Sequence, residues 1–533
     1  MTLRILFLLI AGSALGTAGL DSIVRTESGL VAGSGVTVRS YKGIPYAAPP
    51  VGELRWKAPQ PVKPWKGIRV ATTFAANCPQ GPLVPGPQSE DCLALNIWTP
   101  AGNSPRGLPV MVWIHGGGFR MGSSSLPAYD GEQFASKGVV FVSINYRLGT
   151  LGFFAHPGLS HENPQGVSGN YGLLDMVAAL EWVKRNIAAF GGDPGNVTIF
   201  GESAGGTAVC LLMVMPQATG LFHKVISQSA AWMNVPISHL KESWYGRIPL
   251  ETLSVRLGDL AALRTLPTAG ALKLEGSTPS GSKGASDRGE SYEPVVDGVV
   301  FPDDPARLFE SGRFARVALI AGTVADERTM QGPKARSLSA LRTFAEREFA
   351  SAADRILSVY PAATDGDAQA AGEKMAGEWL FVQGTRAILR ANAKTGAGTF
   401  QYHFTRVNGI GRRTQWGAFH GSDVSYVFGT LPDSAWGTFR HSLGDFSVDA
   451  DTYDNRDRML SEAMHAAWIR FAKTGDPNGP GLPKWPSFSD GKESYLEFGD
   501  RIAAGTALRK AQLDVLSDHA SGLRARQRGA GND

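Results

Sequence analysis

The pentapeptide Gly201-Glu202-Ser203-Ala204-Gly205 restricts what this chain can fold into more than any other segment. Val197-Thr198-Ile199-Phe200 before it reads as a short buried strand, and Ala204 to Met215 after it reads as a helix. The chain must therefore turn from strand to helix within a few residues. Glycines on both sides let the two elements approach without Cβ clashes, and the serine between them projects above the sheet. Gly-x-Ser-x-Gly alone recurs by chance, so the strand–turn–helix context carries the meaning.

The surrounding chain supplies a sheet for that corner to sit on. Val110-Met111-Val112-Trp113-Ile114 and Val139 to Ile144 are continuous apolar runs. Such runs, bounded by turns and separated by helices, suit a sheet buried on both faces. Val31 to Tyr46, Leu95 to Trp98, Val317 to Gly322 and Phe400 to Phe404 also read as strands. Leu173 to Ala189 and Arg458 to Ala472 show helical apolar spacing. Pro79 to Ser89 and Gly191 to Asn196 read as loop and turn, and Thr265 to Glu290 as a region with a mobile surface loop. No repeat or clear linker divides the chain. The expected organisation is a leader over residues 1–18, one α/β domain over 19–520 and a frayed polar tail over 521–533.

The first residues are Met1-Thr2-Leu3-Arg4, then the apolar Ile5 to Ile10, then the small and apolar Ala11 to Leu20. A charged start, an apolar core and a small-residue zone make a secretory leader, with cleavage expected near Ala18. The chain is then expected in the periplasm or the medium, with no stable membrane span. Cys78 and Cys92 lie 14 positions apart in a loop-like stretch, which in an exported protein reads as one disulfide. They have neither CxxC spacing nor a nearby histidine, so no metal site is expected. Cys210, in an apolar run, reads as a buried thiol. A net charge of +4 over 533 residues argues against a nucleic-acid partner.

A serine hydroxyl needs a base, an orienter for that base and donors for the oxyanion before it can act as a nucleophile. His115-Gly116-Gly117-Gly118 follows a strand upstream of Ser203, and its backbone N–H groups can converge with that of Ala204. His115 is expected to hold that loop by a local hydrogen bond. The base is expected downstream, because the order in such sites is serine, acid, histidine. Seven histidines follow Ser203. His420, in the small-residue loop Gly417 to Asp423, is the best placed of them. Asp326 and Glu327 follow a strand and turn, and position alone does not choose between them; Glu202 and Asp423 are further carboxylates near the motifs.

Several segments together resemble one family. Tyr41 to Ala47, Gly52-Glu53-Leu54-Arg55-Trp56, Ser89-Glu90-Asp91-Cys92-Leu93, Leu95 to Trp98, Asn145-Tyr146-Arg147, Gly169 to Asp175 and the elbow Phe200 to Gly206 are similar to the motifs of the type-B carboxylesterases. These belong to the α/β-hydrolase superfamily, with the cholinesterases and bile-salt-activated lipases, and the likeness runs from about Val31 to Trp485. It implies an α/β-hydrolase fold: a central mostly parallel sheet flanked by helices, with large loop and helical insertions. It implies Glu327 rather than Asp326 as the acid, and His420, followed by Asp423, as the base. It further implies oxyanion donors at Gly116, Gly117 and Ala204, a buried Glu202 beside the nucleophile, and a Cys78–Cys92 disulfide. The expected activity is hydrolysis of small-molecule carboxylic esters, without metal or organic cofactor.

Three departures qualify the likeness. Arg328 stands where the family usually has glycine. Pro79 to Asp91 has no aromatic residue, so the cation–π anchor of the cholinesterases is missing and choline esters are not expected. The family's other disulfides lack partners, as in a bacterial secreted member. A lipase, or a hydrolase of lactones, carbamates or polyesters, would use the same machinery; Phe153, Phe154, Trp232 and Trp416 are available to line an apolar entrance, although such residues are more often core or loop packing. A non-catalytic interaction protein is the remaining alternative, disfavoured because Ser203, Glu327 and His420 all stand in place.

Overall fold

Ten strands form one sheet in the computed structural model of this protein. The structure describes residues 22–102, 106–231, 233, 237–242, 249–274, 293–329, 335–431 and 452–529. The strands are β1 (Val38–Pro45), β2 (Ala94–Pro100), β3 (Leu108–Ile114), β4 (Val140–Ile144), β5 (Gly192–Glu202), β6 (Lys224–Gln228), β7 (Ala318–Val324), β8 (Thr399–Phe404), β9 (Ser494–Phe498) and β10 (Ile502–Thr506). Their spatial order is β10-β9-β8-β7-β6-β5-β3-β4-β2-β1. From β4 across to β9 every neighbouring pair is parallel. Antiparallel strands finish both edges. A three-stranded sheet of Ile23–Thr26, Gly29–Ala32 and Ile68–Val70 stands beside it.

The apolar run of β3 serves two cores because successive side chains point to opposite faces. Val110, Val112 and Ile114 join one, while Met111 and Trp113 join the other. Helix α1 (Tyr171–Asn186) buries the stripe Leu173, Met176, Leu180 and Val183 in the first core. Helix α2 (Ala204–Val214) follows β5 and is buried along its whole length. Helices α3 (Asp365–Gly377) and α4 (Gln383–Ala393) are joined by a π-helical turn, Glu378–Val382. Two further long helices are α5 (Asn455–Thr474) and α6 (Lys510–Gly529).

Two expectations need correction. The turn expected over Gly191 to Asn196 is mostly strand, since β5 already starts at Gly192 and pairs there with Leu108. The frayed tail expected from residue 521 is helical to Gly529. The cause is a stripe at helical spacing, Leu513, Leu516 and Ala520, which is buried and continues into partly buried Leu523, while Arg524 meets Glu310 at 2.5 Å. In Thr265 to Glu290, the region expected to include a surface loop, Thr268–Lys273 is a short helix, and residues 275–290 lie outside the described residues. Of the aromatics weighed for an entrance, Phe153 and Phe154 are core residues with no exposure, in line with the packing role such residues more often have. Trp416 is partly buried and packs edge-on against Phe419, and Trp232 lies outside the described residues. So does the expected leader. Among the described residues no helix is long and apolar enough to cross a membrane.

Candidate active site

Ligands of open parallel sheets gather beyond the carboxyl ends of the strands. Here that edge carries the Gly116-Gly117-Gly118 loop after β3, Ser203 after β5, Ser229 after β6, Glu327 after β7 and His420 in the connection after β8. Ser203 occupies φ 58°, ψ −124°, a conformation that residues bearing a Cβ rarely adopt. The sheet and helix hold it there. Its N–H donates to the Gln228 carbonyl at 2.9 Å, and its own carbonyl accepts the Thr207 N–H at 2.8 Å. At Gly205 any side chain would collide with the Ile114 carbonyl, which explains the glycine after the serine.

Three side chains distant in sequence form one hydrogen-bonded chain. His420 Nε2 lies 2.8 Å from Ser203 Oγ, and His420 Nδ1 lies 2.6 Å from Glu327 Oε2. The other carboxylate oxygen of Glu327 accepts from Ser229 Oγ at 2.7 Å and from the Val324 N–H at 3.0 Å. Glu327 is thus buried with both oxygens committed. Asp326 turns the other way. Its Oδ2 accepts the Ala418 N–H at 2.9 Å, and its own N–H donates to the Ala418 carbonyl at 3.0 Å. It splices the acid turn to the histidine loop and does not reach the imidazole.

The other histidines after Ser203 have other partners. His465 Nδ1 faces the Val427 carbonyl at 2.8 Å, His223 Nδ1 accepts the Val197 N–H at 3.1 Å, and His519 packs against Phe349 and Trp379. His403 sits in β8 facing Tyr495, and His239 pairs through its backbone with Val296. His441 lies outside the described residues.

The glycine loop is fixed from several sides. A Cβ at Gly116 would lie 2.6 Å from the Glu202 carbonyl and 3.0 Å from Ser203 Cβ, so only glycine lets the loop come this near the serine. Burial lowers the pKa of His115 to about 4, which leaves the ring neutral, and its Nδ1 faces the Gly116 carbonyl at 2.9 Å. The ring stacks on Tyr146, and Tyr146 Oη donates to the His115 carbonyl at 2.8 Å. The disulfide joins Cys78 and Cys92, and inside that loop Gln80 makes two 2.8 Å hydrogen bonds with the backbone of Gly122. A loop of this length stabilises a fold by about 3 kcal/mol through the unfolded chain, and here it also buttresses the glycine turn.

Charge is concentrated behind the serine. Glu202 Oε1 faces His420 Nε2 at 3.3 Å. Burial above all, with Asp423 and Glu327 nearby, raises Glu202 to about 7, against the pull of His420. Burial opposes charge on His420, but Glu202 and then Glu327 outweigh it and raise the imidazole to about 9. Asp423 is fully buried, accepting from Tyr402 Oη at 2.8 Å and Gln228 Nε2 at 3.0 Å. A base must begin neutral, so kcat/KM is expected to fall as pH drops through a midpoint above the ordinary histidine value. Glu202→Gln removes the foremost charge that raises His420 and should move this limb to lower pH. A pH series of kcat/KM on a p-nitrophenyl ester checks it, and an unmoved limb contradicts the assignment.

Ser229, Gln228, Tyr402 and Phe381 were not legible as site residues. Ser229 follows β6, where only Val225 and Ile226 are apolar, too short a run to stand out. Tyr402 alternates inward on β8. Phe381, whose ring centroid lies 4.7 Å from that of His420, carries no sequence signal at all.

A sheet of this topology with a serine–imidazole–carboxylate chain at its carboxyl edge defines a serine hydrolase of the α/β-hydrolase class. The chain belongs to the carboxylesterase family, whose model matches residues 20–516. It is 38% identical over 493 residues to fumonisin B1 esterase of Sphingopyxis macrogoltabida, covering 91% of this chain and 87% of the relative. It is 34% identical over 499 residues to para-nitrobenzyl esterase of Bacillus subtilis (strain 168), covering 90% and 95%. A solved structure of PNB esterase superposes with TM-score 0.77 at 32% identity, covering 93% of this chain and 100% of that one. The protein is a carboxylic-ester hydrolase.

Proposed function

We propose that the protein cleaves small-molecule esters by two acyl transfers through Ser203. Ser203 Oγ attacks the carbonyl carbon while His420 Nε2 takes its proton. Glu327 holds the Nδ1–H and stabilises the imidazolium. The N–H groups of Gly116, Gly117 and Ala204 donate to the oxygen that gains charge. The tetrahedral species collapses, His420 gives its proton to the departing alcohol, and an acyl-serine remains. Water then attacks that acyl carbon, losing its proton to His420, and the acid leaves as Ser203 regains a proton. The reading rests on one observation, the chain from Ser203 Oγ through both nitrogens of His420 to Glu327.

The relatives' names share an ester and differ in the groups it joins, so the acyl and alcohol parts are set by pocket walls rather than by the machinery. A series of p-nitrophenyl acyl esters of increasing chain length tests the proposal. Hydrolysis of at least one member is expected, and stoichiometric labelling by diethyl p-nitrophenyl phosphate should map to Ser203. A label on any other residue, or no turnover across the series, defeats it. The leader and the Cys78–Cys92 disulfide support export to an oxidising compartment. The mature domain then starts near residue 19 and, given α6, extends past 520.

A further inference from the structure

One face of a single helical rod touches every part of the acid–base pair. The rod runs through α3, the π-helical turn Glu378–Val382 and α4 without a break. Three residues at spacings of three and four project from it toward the site, as neighbours on one helix face do. Lys374 Nζ donates to the Ala325 carbonyl at 3.0 Å and lies 3.4 Å from Asp326 Oδ1, so it grips the turn just before the acid. A Cβ at Gly377 would lie 3.3 Å from Glu327 Cβ and 3.7 Å from the Arg328 nitrogen, so the rod packs directly on the acid. The Phe381 ring then covers His420, tilted 45° to the imidazole.

The π turn places that ring. A π-helical turn accommodates one more residue than an α turn, and such turns concentrate at functional sites. This one is braced from behind: Glu378 is buried, its Oε1 accepts from Arg509 Nε at 2.7 Å and its Oε2 from Tyr360 Oη at 2.7 Å. Phe381 is itself 5% exposed and joins the core formed by α3, α6 and their neighbours. Asp326, gripped by Lys374, holds the Ala418 N–H of the histidine loop, so the rod reaches the base by a second route.

We propose that Lys374, Gly377 and Phe381 form a positioning stripe that fixes Glu327 and His420 in register with Ser203. The stripe rests on the acyl-transfer reading above and adds to it the element that aligns the pair. Rings move freely about χ torsions unless packing prevents it. Phe381 is the packing on the imidazole face, and Lys374 and Gly377 set where the acid lies beneath it.

The test separates positioning from bulk stability and from substrate contact. Phe381→Ala is expected to lower kcat about 100-fold, the scale of a misplaced catalytic group, with KM within about threefold across the p-nitrophenyl series. Labelling of Ser203 by diethyl p-nitrophenyl phosphate should slow by a similar factor. Phe381→Leu should restore kcat to within about tenfold of the wild type. Leu380→Ala, at a buried neighbour on the same turn, should lower Tm comparably yet keep kcat within about threefold. Lys374→Met, at a half-exposed site where folding is not at stake, should lower kcat about tenfold at unchanged Tm, with Lys374→Arg recovering most of it. Unchanged kcat in both Phe381→Ala and Lys374→Met overturns the stripe. So does a rise in KM alone, or an equal loss of kcat in Leu380→Ala. Full activity in Ser203→Ala would instead bring down the acyl-transfer reading, which keeps the two failures distinct.

Discussion

Ser203→Ala is expected to lower kcat on p-nitrophenyl esters by roughly ten-thousand- to millionfold, with KM little changed. The change removes the atom proposed to form the acyl bond and leaves nearly everything else. Ser203 sits at φ 58°, and alanine carries the same Cβ, so the backbone strain is unaltered. The backbone bonds to Gln228 and Thr207 do not involve the hydroxyl. The remaining rate would come from binding and from donors in the glycine loop. Tm should therefore hold while turnover disappears. Retention of activity within tenfold would mean that another group attacks the ester.

Glu327→Gln is expected to cost roughly a thousand- to ten-thousandfold in kcat, and the reason is which nitrogen carries the proton. Glutamine is nearly isosteric, and its carbonyl oxygen can still accept from Ser229 Oγ and the Val324 N–H. Its NH2 then faces His420 Nδ1. That nitrogen must become the acceptor, which puts the ring hydrogen on Nε2, pointing at Ser203 Oγ. A base so turned has no lone pair for the serine proton. Asp326→Asn is the matched comparison. Its carbonyl can keep the Ala418 N–H, and what is lost is a partly exposed contact with Lys374. Its kcat should stay within about tenfold of the wild type. Steady-state kinetics on both variants decide the matter: equal losses, or a larger loss at Asp326, would reassign the acid.

The two expectations draw on different levels of information. Ser203 was legible because its environment is local. The apolar run Val197 to Phe200, a glycine on each side and a helix behind it all lie within one short segment, and steric rules act at that range. The two-faced sheet was legible for a similar reason, since continuous apolar runs have nowhere else to go. Residue spacing left Asp326 and Glu327 open, and only resemblance to a family favoured the second. Their side chains differ by one methylene, while their separation in space is decided by the splice between Asp326 and the His420 loop.

The sequence by itself pointed to the layered α/β class, to the serine elbow and to the glycine loop, because each rests on patterns within short segments. Only the tertiary structure decided which carboxylate meets His420, what braces it and where the last helix ends. The bonds concerned span 93 residues from Glu327 to His420 and 217 from Ser203 to His420. The helical rod bearing Lys374, Gly377 and Phe381 enters the site from a segment with no motif. Its orientation is fixed by a buried contact with Tyr360 and a partly exposed one with Arg509, which no local pattern encodes. The same holds for α6, whose apolar stripe is sparse among charges and gains its helix from the core it covers.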